Sequence, residues 1–404
     1  MSAQKTGSSS GSKLSGFLLL SILLSIAVLV VAYLIQRPHS SPAYNAPHAA
    51  LDLRAGIDLS AQYLIKADAS NGRFAYLVDA DNGAEDRTYN IVRHSGAMYA
   101  LAMLDDADPK RQTKAALIRS AGFLKQNFIS SEIHPGIQVV WQKHAPEKGI
   151  AELGAAGLAL VALSKVHQLE PSVVSLEDLQ SLGRFVLYLQ RPDGSFADRY
   201  EIGSGPTDGS PPSLYYPGEA ALGLLSLYEL DRSPVWLDAA YRALEYLAQS
   251  RANLTILPAD HWALIATAKL AAICSHENCR MDRSELIVHA EHVCESILRE
   301  QRIAPGTLTD GAFDLRGNTA SAATRLEGLL AALEFLPDGD LHRQIRSAAD
   351  RGIGFLLRSE IATGEYAGGF LESSTGAQRD QIRIDYVQHA LCALLRYRVL
   401  SVNG

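Results

Sequence analysis

Acidic, basic and aromatic residues recur at the beginnings of apolar segments in this 404-residue chain. Glu219, Asp260, His261 and Asp385 carry side chains that can take up or release protons, and they are the candidate catalytic residues. Other residues at the same places can bind a ligand through charge, hydrogen bonds or ring stacking. This candidate binding set comprises Tyr89, Asn90, Arg93, His94, Tyr215, Tyr216, Trp262, Arg325, Glu327, Arg383, Tyr386 and His389.

Helix capping is a simpler explanation for each carboxylate taken alone. An Asp or Glu in the first turn of a helix accepts hydrogen bonds from free N–H groups and complements the helix dipole. Ion pairs such as Arg93 with Asp385, or Arg325 with Glu327, could serve only to tie helices together. Capping does not explain why Arg, His, Trp and Tyr stand at the same ends, so the pattern favours a binding site.

The apolar segments behind these residues are typical of helices without a polar face, which other helices must enclose. They lie at about 90–105, 150–166, 217–230, 260–273, 320–335 and 383–399. Amphipathic helices alternate strictly with them, at about 51–66, 110–129, 176–190, 235–250, 282–301 and 341–359. No comparable run of alternating β-branched residues occurs, so the sequence predicts an all-α protein.

Six alternating helix pairs predict an (α/α)6 toroid, with an inner ring of apolar helices and an outer ring of amphipathic ones. The loops before the inner helices are long, except 251–259, whereas those after them are short. The long loops span about 67–89, 130–149, 191–216, 302–319 and 360–382. Loops of this length usually serve a site. We therefore expect them to meet the candidate residues at one end of the ring, here called the mouth.

A local motif and the whole architecture both resemble known toroid proteins. The segment Gly183–Phe196 is similar to the Q-x-x-D-G-S-F/W element of α/α-toroid proteins, which include terpenoid cyclases. The acidic motifs of isoprenoid cyclases are missing, and Asp105–Pro109 is better explained as a helix-ending loop. Over residues 51–404 the chain resembles the six-hairpin carbohydrate-active enzymes, which include glycoside hydrolases, polysaccharide lyases and the helical domain of glucuronyl C5-epimerases. The resemblance implies a poly- or oligosaccharide substrate, and we expect no cofactor.

Three kinds of function remain open for such a mouth. A glycoside hydrolase needs two carboxyl groups, and Glu219 with Asp260 or Asp385 favours this function slightly. A polysaccharide lyase or uronate epimerase needs a cation beside the uronate, a base and a proton donor. The candidates for these roles are Arg93, Arg325, His94, His261, Tyr215 and Tyr216. A glycan-binding or scaffold protein would use the same aromatic residues without catalysis.

The N-terminal region predicts attachment to a membrane. Residues 17–35 form an uncharged apolar run that is long enough to cross a bilayer as a helix. Lys5 and Lys13 precede this run and favour a cytoplasmic N-terminus. A cleaved signal peptide is the alternative, but no clear cleavage site closes the run. We expect a disordered tail at 1–13, a signal anchor at 14–36, a Pro-rich stalk at 37–50 and a periplasmic toroid at 51–404, held at an inner membrane.

Charge and cysteine content limit the partners further. A formal net charge of −7 without a basic run argues against nucleic acid as a partner. The machinery that handles an envelope polysaccharide is a candidate partner besides the sugar and the membrane. Outside the cytoplasm, a Cys274–Cys279 disulfide is favoured, and the neighbouring histidines match no zinc-site spacing, so no metal is expected. Cys294 and Cys392 are expected to be buried thiols.

Overall fold

The computed structural model describes residues 52–403, apart from Arg87 and the positions 130–132, 143–148, 278, 280 and 376–379. The predicted tail, anchor and stalk therefore lie outside the described residues. Within the described part of the chain, no helix has both the length and the apolar character needed to cross a membrane.

Twelve helices are present among the described residues, and they alternate between two layers. The amphipathic outer helices are α1 (Leu53–Ala67), α3 (Arg111–Asn127), α5 (Leu176–Leu189), α7 (Pro234–Arg251), α9 (Ser284–Glu300) and α11 (Asp340–Ser359). The apolar inner helices are α2 (Ile91–Ala107), α4 (Leu153–Leu169), α6 (Tyr216–Asp231), α8 (His261–His276), α10 (Thr319–Ala332) and α12 (Ile384–Asn403). Predicted and observed bounds differ by four residues or fewer.

The inner helices close into a ring. Each packs against its two inner neighbours, and α12 returns to pack against α2. The outer helices cover them, as α7 covers α6 and α1 covers α12. On α6 the side chains of Leu222, Leu225 and Leu227 are buried, as expected for a helix enclosed on all sides. The predicted (α/α)6 toroid is confirmed for the described residues.

Two small sheets in the mouth loops are a feature that the all-α prediction did not include. Five strands of three residues each form them, namely β1 (Leu77–Asp79), β2 (Ile150–Glu152), β3 (Arg199–Glu201), β4 (Gly205–Thr207) and β5 (Gln381–Arg383). β1 pairs antiparallel with β5, and β2, β3 and β4 form a second antiparallel sheet. Strands this short leave no periodic pattern in a sequence. Because β2 and β5 lead directly into α4 and α12, they fix where Glu152 and Arg383 enter the mouth.

One turn occurs four times, each time after an outer helix. A glycine with positive φ lies so close to the backbone of the next outer helix that a Cβ atom there would be 2.0–2.3 Å from a carbonyl oxygen. Two residues later a phenylalanine is buried. The pairs are Gly72 and Phe74, Gly194 and Phe196, Gly311 and Phe313, and Gly368 and Phe370. The toroid-like sequence element contains the second of these pairs, and the turns bind neighbouring outer helices together.

A disulfide joins Cys274 to Cys279 where α8 ends, with the two Cα atoms 5.2 Å apart. Cys294 on α9 and Cys392 on α12 are buried free thiols. Both bury an apolar surface and contribute to helix packing.

The inner helices α4 and α6 approach each other closely, and this contact predicts the effect of an added methyl group. A Cβ atom on Gly157 would lie 2.6 Å from the backbone carbonyl carbon and oxygen of Glu219, so Gly157→Ala forces the helices apart. We expect a loss of about 1–3 kcal/mol in the free energy of unfolding, measured with urea. Gly122→Ala on α3 is the control, because no atom of the described residues lies within 4 Å of its Cβ position. That control should gain about 0.5–1 kcal/mol, and equal effects of the two changes would contradict the packing.

Candidate active site

A cavity of about 220 Å³ opens at the mouth, and all six inner helices contribute to its wall. Nine predicted site residues line it, namely Asn90, Arg93, Tyr215, Tyr216, Glu219, His261, Trp262, Asp385 and His389. Val92, Leu158, Thr324 and Gln388 also line it and were missed from the sequence. Thr324 and Gln388 each stand one residue before a predicted site residue, which is the signal that could have found them.

His261 is a buried imidazole without a hydrogen-bond partner. Its side chain is at the first position of α8 and the residue is 1% exposed. Neither ring nitrogen has a hydrogen-bond partner among the described residues. Burial lowers the pKa of His261 well below its ordinary value, and the nearby charges of His389 and Arg325 act in the same direction. The ring is therefore neutral, with one N–H donor and one lone pair available to a ligand.

His389 faces His261 and is held by a carboxylate. The centres of the two imidazole rings are 5.4 Å apart in an edge-to-face arrangement. Nδ1 of His389 lies 2.6 Å from Oε1 of Glu327, which is fully buried on α10. Burial raises the pKa of Glu327, and the charges of His389 and Arg396 oppose that effect. With its proton on Nδ1 facing Glu327, His389 has its lone pair on Nε2.

Asp385 is an ionised carboxylate between two guanidinium groups. Arg93 donates from Nε to Oδ2 at 3.0 Å, and Arg383 donates from Nε to Oδ1 at 2.6 Å. Burial acts to raise the pKa of Asp385, but the hydrogen bonds from Arg383 and the charge of Arg93 outweigh it, so the pKa lies below its usual value. Arg93 also donates to the hydroxyl of Tyr76 at 2.6 Å. Asp385 thus orients arginines and is a poor proton donor, so of the two roles in a carboxylate pair only that of the base or nucleophile would suit it.

Glu219 is the one predicted catalytic carboxylate that lines the cavity without a countercharge. The residue is 4% exposed, and its Oε2 has no hydrogen-bond partner among the described residues. Burial raises the pKa of Glu219 to about 8, with further contributions from the charges of Asp260 and Glu152. At neutral pH this group is a carboxylic acid.

The predicted catalytic role of Asp260 is wrong in its geometry. The side chain is fully buried, caps α8 by accepting a hydrogen bond from the backbone N–H of Ala263, and does not line the cavity. Its Oδ2 lies 2.9 Å from Nη2 of Arg251 on α7, whose side chain is 11% exposed. The carboxylate therefore faces outward from the ring and forms a buried ion pair between the layers.

Tyr89 and His94 do not line the cavity either, and their side chains form hydrogen bonds within the helix layers. The Tyr89 hydroxyl lies 2.8 Å from Nδ1 of His94, and Nε2 of His94 lies 3.1 Å from the carbonyl oxygen of Ser120 on α3. With its proton on Nε2, His94 donates to Ser120 and accepts from Tyr89. Burial lowers the pKa of His94 to about 4, although the bond to Ser120 opposes it. These contacts fix α2 against α3.

Three more predicted binding residues lie beside the cavity and not in its wall. Arg325 pairs with Glu300 and with the hydroxyl of Ser321, and not with Glu327 as the sequence suggested. The guanidinium of Arg383 stacks over the ring of Tyr386 at 4.6 Å from its centre. Arg383 and Tyr386 therefore support the wall through Asp385.

The donor atoms of His261, Glu327 and His389 lie within 4.8 Å of one another. These residues could hold a divalent metal after moving inward, because zinc ligands lie about 2.0–2.2 Å from the metal. The Glu327–His389 hydrogen bond would have to be given up in that case. This cluster was missed from the sequence, because the three residues are far apart along the chain.

Comparison with known proteins places the fold. No known protein family and no curated protein matches the sequence. A sugar epimerase from a ruminal bacterium superposes with a TM-score of 0.65 at 14% identity, over 86% of this chain and 98% of that one. A cellobiose 2-epimerase from Spirochaeta thermophila gives 0.65 at 12% identity, over 87% and 96%. An alpha-1,6-mannanase from Salegentibacter sp. gives 0.60 at 13% identity, over 86% and 100%. The resemblance to toroid carbohydrate-active enzymes is thus confirmed at the level of the fold.

The ion pair of Asp260 predicts a large effect of a small change. Asp260→Asn keeps a capping side chain but leaves the buried charge of Arg251 without its partner, so the free energy of unfolding should fall by about 3–5 kcal/mol. Urea unfolding at pH 7 measures the loss. Glu229→Gln is the matched control, since its pair with Lys269 is more exposed and should contribute less than about 1 kcal/mol. A similar small loss in both variants would show that Asp260 has no such structural role.

Proposed function

We propose that this protein is a sugar epimerase or isomerase that moves a proton at a carbon next to a carbonyl group. One observation supports this most directly: two imidazoles from α8 and α12 meet at the mouth, and neither nitrogen of one of them has a hydrogen-bond partner in the described part of the chain. A buried polar group without a partner is costly in a folded protein. A substrate that fills the cavity would offset that cost.

His389 has the features of the base. The carboxylate of Glu327 holds its ring and would stabilise the positive charge that the ring gains with a proton. The lone pair on Nε2 can then remove a proton from a substrate carbon. Imidazole is suited to this role because its ordinary pKa lies near neutrality.

His261 has the features of the second proton carrier. The neutral ring has a free lone pair for a proton that passes from His389, and its lowered pKa favours release of that proton to the substrate. Return to the same carbon from the second ring gives an epimer, whereas return to the neighbouring carbon gives an isomer. Both rings end the cycle neutral, and no cofactor is required.

The remaining wall residues can hold a sugar. Arg93 has guanidinium hydrogens beyond those used for Asp385 and Tyr76, and it can bind a carbonyl or carboxylate oxygen of the substrate. Tyr215 and Tyr216 are half-buried beside the cavity and can stack on a pyranose ring. Two proteins with this fold are named as sugar epimerases, which supports the proposal.

A glycoside hydrolase is the second candidate, and the raised pKa of Glu219 favours it, because a hydrolase needs a protonated carboxyl group. The sequence offered Asp260 and Asp385 as the second carboxylate. The first faces Arg251, and the second is held by Arg93 and Arg383. The geometry therefore favours proton transfer between imidazoles over hydrolysis.

Deuterium exchange tests the proposed reaction. The full-length protein is incubated in D2O with cellobiose, mannose or an oligosaccharide that ends in glucuronic acid, and the products are followed by NMR. We expect deuterium at the carbon next to the carbonyl group, together with an epimer or isomer. His261→Gln and His389→Gln should each lower the exchange rate by about 10²–10⁴-fold. His292→Gln, at an exposed residue of α9, is the control and should leave the rate unchanged.

Other products of the same incubation would contradict the proposal. New reducing ends without exchange identify a hydrolase, and an unsaturated uronate identifies a lyase. Sugar binding without any chemical change identifies the glycan-binding or scaffold alternative.

We also propose that the apolar run 17–35 tethers the toroid outside the cytoplasm. The lysines before that run support this orientation, and the Cys274–Cys279 disulfide suits an oxidising compartment. An envelope polysaccharide or an exopolysaccharide would then be the substrate within reach.

Fusion of a topology reporter to the C-terminus tests the tether. A periplasm-dependent reporter should be active, and deletion of residues 17–35 should abolish that activity because the fusion then stays in the cytoplasm. Activity of a reporter that works only in the cytoplasm would overturn the proposal.

A further inference from the structure

Glu219 is a buried carboxyl group that the imidazole reaction does not use. It lies in the first turn of α6, between α4 and α8, and it lines the cavity. Its Oε2 has no hydrogen-bond partner among the described residues, although the residue is almost fully buried. Buried polar atoms without a partner are rare in native proteins. Because Glu219 lines the cavity, a ligand that enters the cavity is the available partner for its carboxyl group.

Glycines on neighbouring helices leave the space that the Glu219 side chain occupies. A Cβ atom on Gly154 would lie 2.1 Å from Oε2 of Glu219 and 2.3 Å from Cδ1 of Tyr216. A Cβ atom on Gly218 would lie 2.6 Å from the backbone nitrogen of Ala263 on α8. The close approach of α4, α6 and α8 thus leaves the carboxyl group a narrow slot against the cavity wall.

The groups around Glu219 favour its neutral form. The titratable groups that face it are Glu152 beside α4, Asp260 and His261 at the start of α8, and Tyr215 and Tyr216 from its own turn. Arg251 of α7 is paired with Asp260 and is therefore already neutralised. Burial, followed by the charges of Asp260 and Glu152, raises the pKa of Glu219 to about 8.

We propose that Glu219 acts as a third catalytic residue, whose protonated carboxyl group donates a hydrogen bond to the carbonyl oxygen of the sugar as that oxygen becomes an enolate. This inference rests on the proposed epimerase or isomerase function. The C–H bond next to the carbonyl breaks and its proton goes to His389. The electron pair of that bond forms a C=C bond, and the carbonyl oxygen takes the negative charge beside Glu219. When the proton returns to carbon, the carbonyl group forms again and Glu219 keeps its hydrogen.

The sign of the pH dependence follows from this role. Glu219 is active as an acid, so its contribution to turnover should be fully present below a pH of about 8 and be lost as the pH rises through that value. A hydrolytic base or nucleophile would behave in the opposite way, because it would gain activity as the carboxyl group ionises.

Glu219→Gln and Glu219→Ala separate these roles. Gln keeps the shape and an N–H donor and cannot ionise, so it should retain at least about a tenth of wild-type kcat and lose the fall above pH 8. Ala has no donor and should lower kcat by about 10²–10³-fold. Glu152→Gln, at a residue outside the cavity wall, is the control and should shift the fall to lower pH, because it removes one negative charge near Glu219.

Several results would overturn the proposal. The first is a Glu219→Gln variant that is folded and binds the sugar but turns over as slowly as Glu219→Ala. The second is a Glu219→Gln variant that keeps the wild-type pH profile. The third is a Glu219→Ala variant with the wild-type kcat. Infrared difference spectra between wild type and Glu219→Gln provide a readout without substrate. The band of a protonated carboxyl group should be present in the wild type at pH 7 and lost above pH 9. If the wild type shows no deuterium exchange, the proposed function fails, and the infrared band alone decides whether Glu219 is protonated.

Discussion

The close contact between α4 and α6 is the constraint on which the mouth depends. Gly157 and Gly223 let the two backbones approach so closely that a Cβ atom on either would lie 2.6 Å from a backbone atom of the other helix. Contact at this distance leaves no room for water between the helices. The side chain of Glu219 extends from that contact toward the cavity. Its carboxyl group is therefore shielded from water, and this burial raises its pKa. In a ring with wider spacing between these helices, water would reach the carboxyl group of Glu219 and its pKa would return toward the ordinary value.

Titratable groups on different sides of the mouth differ in charge because they have different neighbours. On the α12 side, two arginines keep Asp385 ionised. On the α6 and α8 sides, Glu219 and His261 lie without a countercharge and stay neutral at pH 7. Titratable groups with such different surroundings within one cavity are typical of sites that move protons. The same types of residue, each paired with an opposite charge, would form a rigid but inert wall.

The alternation of helix types in the sequence was enough to predict the toroid and the inner ring, and the long loops predicted the end at which the cavity opens. A residue in the first turn of an inner helix must lie near the mouth end of the ring axis. Its place in the sequence does not show whether its side chain points into the cavity or toward the outer helices. Neighbouring residues of a helix differ by about 100° in direction, so Asp260 faces Arg251 while His261 faces the cavity. His94 turns toward Ser120 for the same reason. Partners such as Glu300 for Arg325 come from other helices and leave no local signal.

The ring has a seam between the first and last helix pairs, where no peptide links the two sides. Arg93 and Asp385 meet across it from α2 and α12, and the turn at Gly368 rests on the carbonyl oxygen of Leu59 in α1. Contacts between residues so distant along a chain carry a larger loop-closure entropy than local contacts and slow folding. A chain that stops before α12 lacks Asp385, which orients Arg93, so this side of the cavity wall depends on the last helix to be made.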